Sequence, residues 1–282
     1  MTELSAITLM PLVGTGAPVT LPSFAAQGWS FRDLVDWWGT TPAKGSPVER
    51  PQGHGAFEAS QSLRSSRAIS ITANYIGESQ AEVEDAFDTL SAVGAEGPVL
   101  MTVTTPAGSS HRVVTIEDTA PTRHRGGLRV GGMTVDMIAR DTRRYSSGEW
   151  LSTPPPSPGQ GIVWPVVWPA VWPGGGSSGR VELANAGKAP SAPVFRLLGG
   201  FESAVITCVE NGRRIGFARP VPAGSMVEID VKTKRALLEG QSDVSRWLRF
   251  REWTEVPGLL SRTFQLDADG GEMIAKVDHA WW

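Results

Sequence analysis

The sequence predicts a mainly β protein with one α-helix, an N-terminal α+β domain followed by a C-terminal β-sandwich. Three observations carry this. Apolar and polar residues alternate over many short segments, as in half-buried strands. One longer segment, after Ser79, combines helical spacing with matching start and stop signals. Glycine (32) and proline (21) are frequent enough to punctuate many turns between short strands.

Taken in order, residues 1–66 have weak periodicity, with a strand expected near Ile7–Leu12. In FRDLVDWWG, Phe31, Leu34, Val35 and Trp38 fall at i, i+3, i+4 and i+7, which predicts a short helix. Residues 40–66 read as a long loop, a feature that in compact domains is usually functional or ordered by a partner. In residues 68–76, Ile69, Ile71, Ala73 and Tyr75 alternate with Ser70, Thr72 and Asn74, a half-buried strand. Ser79 and Glu82 have capping-box spacing. Val83, Ala86, Phe87 and Leu90 then form one apolar face, Glu84, Asp85 and Asp88 an acidic one, and Gly94 a C-terminal stop. Strands are expected at Val99–Thr104, Arg112–Glu117 and Met133–Ala139, giving one helix against several strands.

A Pro-rich stretch breaks the pattern. It divides the chain into an N-terminal domain (1–150), a Pro/Gly/Trp-rich linker or arm (151–179) and a C-terminal domain (180–282). The last reads as strands at Val181–Ala184, Val194–Leu198, Ala204–Val209, Arg214–Phe217, Met226–Val231, Lys234–Leu238 and Met273–Val277, with a closing strand after Pro257-Gly258. Asn211-Gly212 between two apolar runs is a strong hairpin signal. Strands at this spacing predict a sandwich.

Composition excludes several classes. No run of about 18 apolar residues occurs, so no transmembrane helix is expected. The start, MTELSAITLM, lacks a basic segment and does not read as a signal peptide. A net charge of -3 argues against strong nucleic-acid binding. The single cysteine, Cys208, excludes an internal disulfide and a Cys-based zinc cluster, reads as a core residue, and suits a reducing cytoplasm.

No residues are arranged for catalysis, and no catalytic, cofactor-binding or metal-binding residue is assigned; the expectation is a non-enzyme without cofactors. Ser177 in GGSSG fits G-x-S-x-G but lacks the preceding strand and following helix, so it reads as a turn. Asp267, Asp269 and Glu272 could attract calcium, but Asp269-Gly270 between strand-like runs reads as a hairpin turn. The four histidines have no metal-ligand spacing.

The residues that suggest a function are aromatic and basic. Tryptophans (11) far outnumber tyrosines (2), as expected for anchors in cores or interfaces. Trp164, Trp168 and Trp172 each precede proline at a period of four, which puts all three indoles on one face of an extended arm. Such an arm packs either on a neighbouring protein or on its own sandwich. Terminal Trp281 and Trp282 are expected to dock. With Trp37, Trp38, Arg123 and Arg125 they make up the candidate partner interface.

Several segments together resemble the distal tail proteins of long-tailed bacteriophages. They are the Ala139, Asp141 and Tyr145 of ARDTRRY, the Asn185, Gly187 and Pro193 of ELANAGKAPSAP, the Ile229-Asp230 turn unit, and Pro257-Gly258 before a final strand. The likeness covers roughly residues 68–282; where the family usually has Asp-Pro, this chain has Asp141-Thr142. The resemblance implies a virion protein with a tube-like N-terminal domain and a galectin-like C-terminal sandwich. Copies would form a hexameric ring at the distal end of the tail. The partners implied are its own copies, the tail tube protein, the tail-tip hub protein and the tape measure protein, with DNA only in transit. The alternative from the binding class is a carbohydrate-binding module of a tail tip that recognises the host surface.

Overall fold

The computed structural model describes residues 5–14, 16–44, 48–57, 63–124, 129–158 and 176–282, with backbone only at 122–124. The chain divides into two compact units, Met1–Ser146 with Trp282, and Ser147–Trp281.

The first unit holds β1 (Ala6–Pro11), β2 (Val19–Pro22), β3 (Gly28–Val35), β4 (Arg67–Ile76), α1 (Gln80–Ala92), β5 (Val99–Thr105), β6 (Gly108–His124), β7 (Val130–Ala139) and β8 (Arg144–Ser146). The sheet order is β2-β1-β5-β6-β7-β4-β3, with β8 beside β6. Its ladders are antiparallel. A flat sheet of seven strands would part β2 from β3 by roughly 29 Å at about 4.8 Å per strand. The chain from Pro22 to Gly28 reaches at most about 21 Å. The sheet therefore curls into a half-barrel, and β2 and β3 come into contact.

The sequence predicts a short helix over FRDLVDWWG; the structure has strand β3 as far as Val35 and a bend over the rest. The reason is a β-bulge between Phe31 and Asp33. Phe31 lies opposite Ala73 and Leu34 opposite Ile71, so the extra residue returns Leu34 to the face of Phe31. The bulge converts period-two alternation into an i, i+3 spacing that mimics a helix.

Helix α1 covers the sheet. Val83, Ala86, Phe87 and Leu90 are buried, and Gly94 (φ +78°) ends the helix. Ser79 Oγ accepts from Glu82 N at 3.3 Å. The Glu82 carboxylate accepts from Glu78 N at 2.7 Å and from the Tyr75 hydroxyl at 2.8 Å. Those two bonds hold it below the usual carboxylate range, the backbone bond contributing most. Gly131 on β7 has no side chain because the helix sits on it: a Cβ there would lie 2.7 Å from Val83 and collide with Phe87.

The second unit holds β9 (Trp150–Thr153), β10 (Arg180–Asn185), β11 (Val194–Leu198), β12 (Ala204–Cys208), β13 (Arg214–Phe217), β14 (Met226–Asp230), β15 (Arg235–Leu238), β16 (Ser242–Asp243), β17 (Leu248–Arg249), β18 (Leu260–Ala268), β19 (Glu272–Lys276) and β20 (His279–Trp281). One sheet runs β10-β18-β12-β13-β17, the other β16-β15-β14-β11-β19-β9. Their inner faces share one core, in which Phe195 of β11 meets Phe264 of β18 edge-on at 5.0 Å. Two sheets sharing a core in this way are consistent with a sandwich-like domain. Cys208 is buried in that core, and burial, followed by its bond to Glu210, pushes its thiol pKa up.

Asn211-Gly212 forms the predicted β12–β13 hairpin, with Gly212 at φ +68°. The Asp269-Gly270 turn is no hairpin: β18 and β19 belong to different sheets, so it arches between them. Asp269 fastens the arch by accepting from Glu202 N at 3.0 Å. Strand β9 lies in a stretch that read as leading into a linker; four residues before a proline run are too few to show alternation.

Candidate functional site

The DWWG segment after β3 is organised by two buried arginines. Asp36 adopts a left-handed backbone (φ +61°) and turns the chain out of the strand. Arg67, from the start of β4, donates to the carbonyls of Asp36 (2.8 Å), Trp38 (3.2 Å) and Gly39 (2.6 Å). Arg112, from β6, donates to the carbonyls of Trp37 (2.8 Å) and Thr142 (3.3 Å). Its guanidinium lies 4.7 Å from the centroid of the Trp37 ring. Four consecutive carbonyls thus receive charged donors, which makes burial of two cations tolerable. Burial, with Arg67 and Arg144 nearby, lowers the Arg112 pKa to about 9, which leaves it charged at neutral pH.

This arrangement separates the two tryptophans. Trp37 is 1% exposed and serves as a core residue rather than a surface one, whereas Trp38 is 42% exposed and faces outward. Strands β2 and β3, at the two ends of the sheet order, each have a ladder on one side only among the described residues, and they touch each other without forming one. Phe24, in the connection between them, is 82% exposed, and Val35 at the end of β3 is exposed too. Edge strands beside exposed apolar groups are the usual template for sheet extension by another chain. On α1, Glu84, Asp85 and Asp88 face outward.

The remaining sequence motifs have structural work. Asp141 accepts from the Tyr145 hydroxyl at 2.6 Å and from Arg143 N at 3.0 Å, which accounts for their spacing. Asn185 is fully buried. Its amide donates to Ala189 O (2.8 Å) and Val256 O (3.2 Å), and its Oδ1 accepts from Gly187 N (2.9 Å) and Ala280 N (3.2 Å). Gly187 has no room for a Cβ against the Ala280 backbone, and at Gly258 one would lie 2.6 Å from Lys188. Asn185 thereby ties the Asn-x-Gly and Pro-Gly segments together. The Ser177 hydroxyl donates to Pro154 O at 3.0 Å and accepts from Gly179 N at 3.0 Å, a turn arrangement.

Trp281 is partly buried, edge-on to His279 at 6.4 Å between centroids, and Trp282 is exposed. The Arg123 backbone lies in β6 opposite Gly132. The Arg123 side chain, Arg125, Trp164, Trp168 and Trp172 lie outside the described residues. Sequence reasoning missed Trp150, an exposed indole on edge strand β9. The Arg196 guanidinium lies 4.2 Å from its ring centroid and the Lys276 ammonium 5.6 Å, and Arg196 pairs with Glu228 at 2.8 Å. Its signal was a lone tryptophan ahead of a proline run, with no periodicity to place it.

No protein-family model and no curated protein matches the chain. Solved structures do. One is the Dit protein (gp 19.1) of phage SPP1, described as a paradigm of the hub adsorption apparatus in phages that infect Gram-positive bacteria. The TM-score is 0.63 at 11% identity, over 98% of this chain and 99% of that one. Chains of the phage p2 baseplate in its activated conformation also match. With Ca the TM-score is 0.55 at 11% identity, covering 98% of each chain; with Sr it is 0.53 at 10% identity, covering 97% of each. At such identities the likeness is one of fold, and it is shared with phage baseplate and tail-hub proteins.

Proposed function

We propose that this chain is a structural protein of a phage tail tip, without enzymatic activity. Six copies form a ring at the distal end of the tail. The ring joins the tail tube to the tip hub and leaves a channel for the tape measure protein and DNA. The protein is made in the bacterial host cytoplasm and resides in the virion. The observation that carries the reading is the fold match along nearly the whole of this chain and of the SPP1 Dit protein. Two features support it: the one-sided ladders of β2 and β3, and the exposed Phe24 and Trp38 beside them. A closed ring uses a head-to-tail interface, in which one edge of each copy meets the other edge of the next. Phe24→Glu, at a largely exposed position, is expected to leave the fold intact and weaken assembly about tenfold or more, the usual loss for an interface hot spot. Sedimentation of the variant beside the native chain checks this; unchanged assembly would remove the β2–β3 connection from the interface.

A second reading, a carbohydrate-binding module, is favoured by Trp150 with Arg196, Glu228 and Lys276 on the outer face of one sheet. Arg196 and Lys276 cover part of the indole, and Trp150 stays 41% exposed, which leaves area for a sugar ring with charged groups beside it for the hydroxyls. A glycan array probed with the full chain tests it, and Trp150→Ala should abolish any signal.

A further inference from the structure

One edge of the second unit gathers six arginines that the ring role does not use. Residues 147–281 hold fourteen arginines and lysines against fourteen aspartates and glutamates, so this unit is neutral as a whole. Arg213, Arg214 and Arg219 come from β13 and its flanks; Arg246, Arg249 and Arg251 come from β17 and its flanks. The β13–β17 ladder brings the two sets together. Gly216 lies opposite Arg249, Ala218 N donates to Trp247 O at 3.0 Å, and Glu252 N donates to Arg214 O at 3.0 Å. Phe217 and Leu248 point into the core, which leaves Arg214 and Arg249 on the outer face. Among the described residues none of the six forms an ion pair with a carboxylate. The acid in this ladder, Glu252, accepts instead from the Arg214 backbone N at 2.8 Å.

The patch is held in shape. Phe250 adopts a left-handed backbone (φ +49°), and its ring folds over Gly216, where a Cβ would come within 3.0 Å of it. The Arg214 guanidinium lies 4.4 Å from the centroid of that ring. Arg219 and Arg246 lie 5.9 and 5.5 Å from the centroid of Trp247. Arg251 donates to the carbonyls of Leu248 (3.2 Å) and Ser245 (2.9 Å) and fixes the turn between them. Both rings stay open to water, Phe250 at 46% and Trp247 at 37%.

We propose that this edge binds a phosphodiester polymer of the bacterial envelope, of the polyol-phosphate type. The choice of an envelope polymer rests on the tail-tip reading above. The guanidiniums of Arg214, Arg219 and Arg246 lie over aromatic rings, which supports the groups while their N–H donors can pair with phosphate oxygens. A row of such groups without acid partners matches a chain that repeats one negative charge per unit. Folded protein surfaces mix both signs and seldom offer a run of carboxylates. Single-stranded nucleic acid binds by stacking bases on open aromatic faces. Here cations already lie over both rings, so what the patch offers is anion contacts.

The test is titration of the full chain with lipid-free poly(glycerol phosphate), oligothymidylate and dextran sulfate at equal anion concentration, in about 50 mM salt. Expected is saturable binding of the glycerol-phosphate polymer, tighter than of the other two. R214Q/R249Q should weaken it about tenfold or more and lower its salt slope by about one per arginine. F250A, which keeps every charge, should weaken it too, because Arg214 loses its support. Thermal melts of the variants establish that they fold. Absence of polymer binding, indifference to F250A, or equal binding of dextran sulfate overturns the proposal. Tighter binding of oligothymidylate overturns it in favour of nucleic acid. Imaging the same preparation keeps the two readings apart: rings without polymer binding remove the patch proposal alone, and polymer binding without rings removes the ring alone.

Discussion

Asn185 shows how a single side chain can fix a whole crossing. It satisfies four buried backbone groups from three segments, and no other residue type offers two donors and an acceptor in that shape. Asn185→Ala should cost about 2–4 kcal/mol of stability, because the groups it leaves are buried. Asn185→Asp should cost more, since a carboxylate oxygen would then face the carbonyls of Ala189 and Val256. Urea unfolding of both variants checks the order. Arg112 plays the corresponding role in the first unit. Arg112→Met keeps the aliphatic stem but leaves the carbonyls of Trp37 and Thr142 unpaired, at a cost of about 1–3 kcal/mol. Urea unfolding followed by circular dichroism should report the loosening, and an unchanged denaturation midpoint would show that the clamp is dispensable. The Asn185 motif was visible in the sequence as Asn-x-Gly. The arginine clamp was not, because Arg67 and Arg112 read as ordinary strand positions and their partners are backbone atoms far along the chain.

At the scale of elements, helix α1 was legible because its signals are local: a cap, an apolar face and a glycine stop. Strand β3 was not, because its spacing is set by the bulge against β4, a partner more than thirty residues away. The arch at Asp269 was misread for a similar reason, since Asp-Gly signals a turn but not which sheet receives the next strand. The start of α1 also carries a pH dependence. The Glu82 pKa is depressed in the folded chain by bonds from Glu78 N and the Tyr75 hydroxyl. The stabilisation is therefore complete above the ordinary glutamate pKa and is lost as pH falls through the lower folded value. Amide protection factors of α1, taken against the slower intrinsic exchange in acid, should fall on acidification through that window. Glu82→Gln should flatten the dependence; an equally steep profile in the variant would contradict this role of the carboxylate.

For the molecule as a whole, the alternation of residues 68–76 and 180–282 was enough to predict a mainly β chain with a sandwich at its C-terminal end. The curl of the first sheet was hidden, because it follows from strand order and from the short link between β2 and β3. The surface proposed for assembly was only partly legible. Trp38 was identified and Phe24 was missed, since a lone exposed aromatic has no periodic signature. The central claim concerns assembly, and negative-stain imaging of the purified full chain tests it most directly. Six-fold rings with a central hole are expected, lost or reduced in Phe24→Glu. Particles that stay monomeric at every concentration, and remain so when the tail tube protein is added, would contradict it.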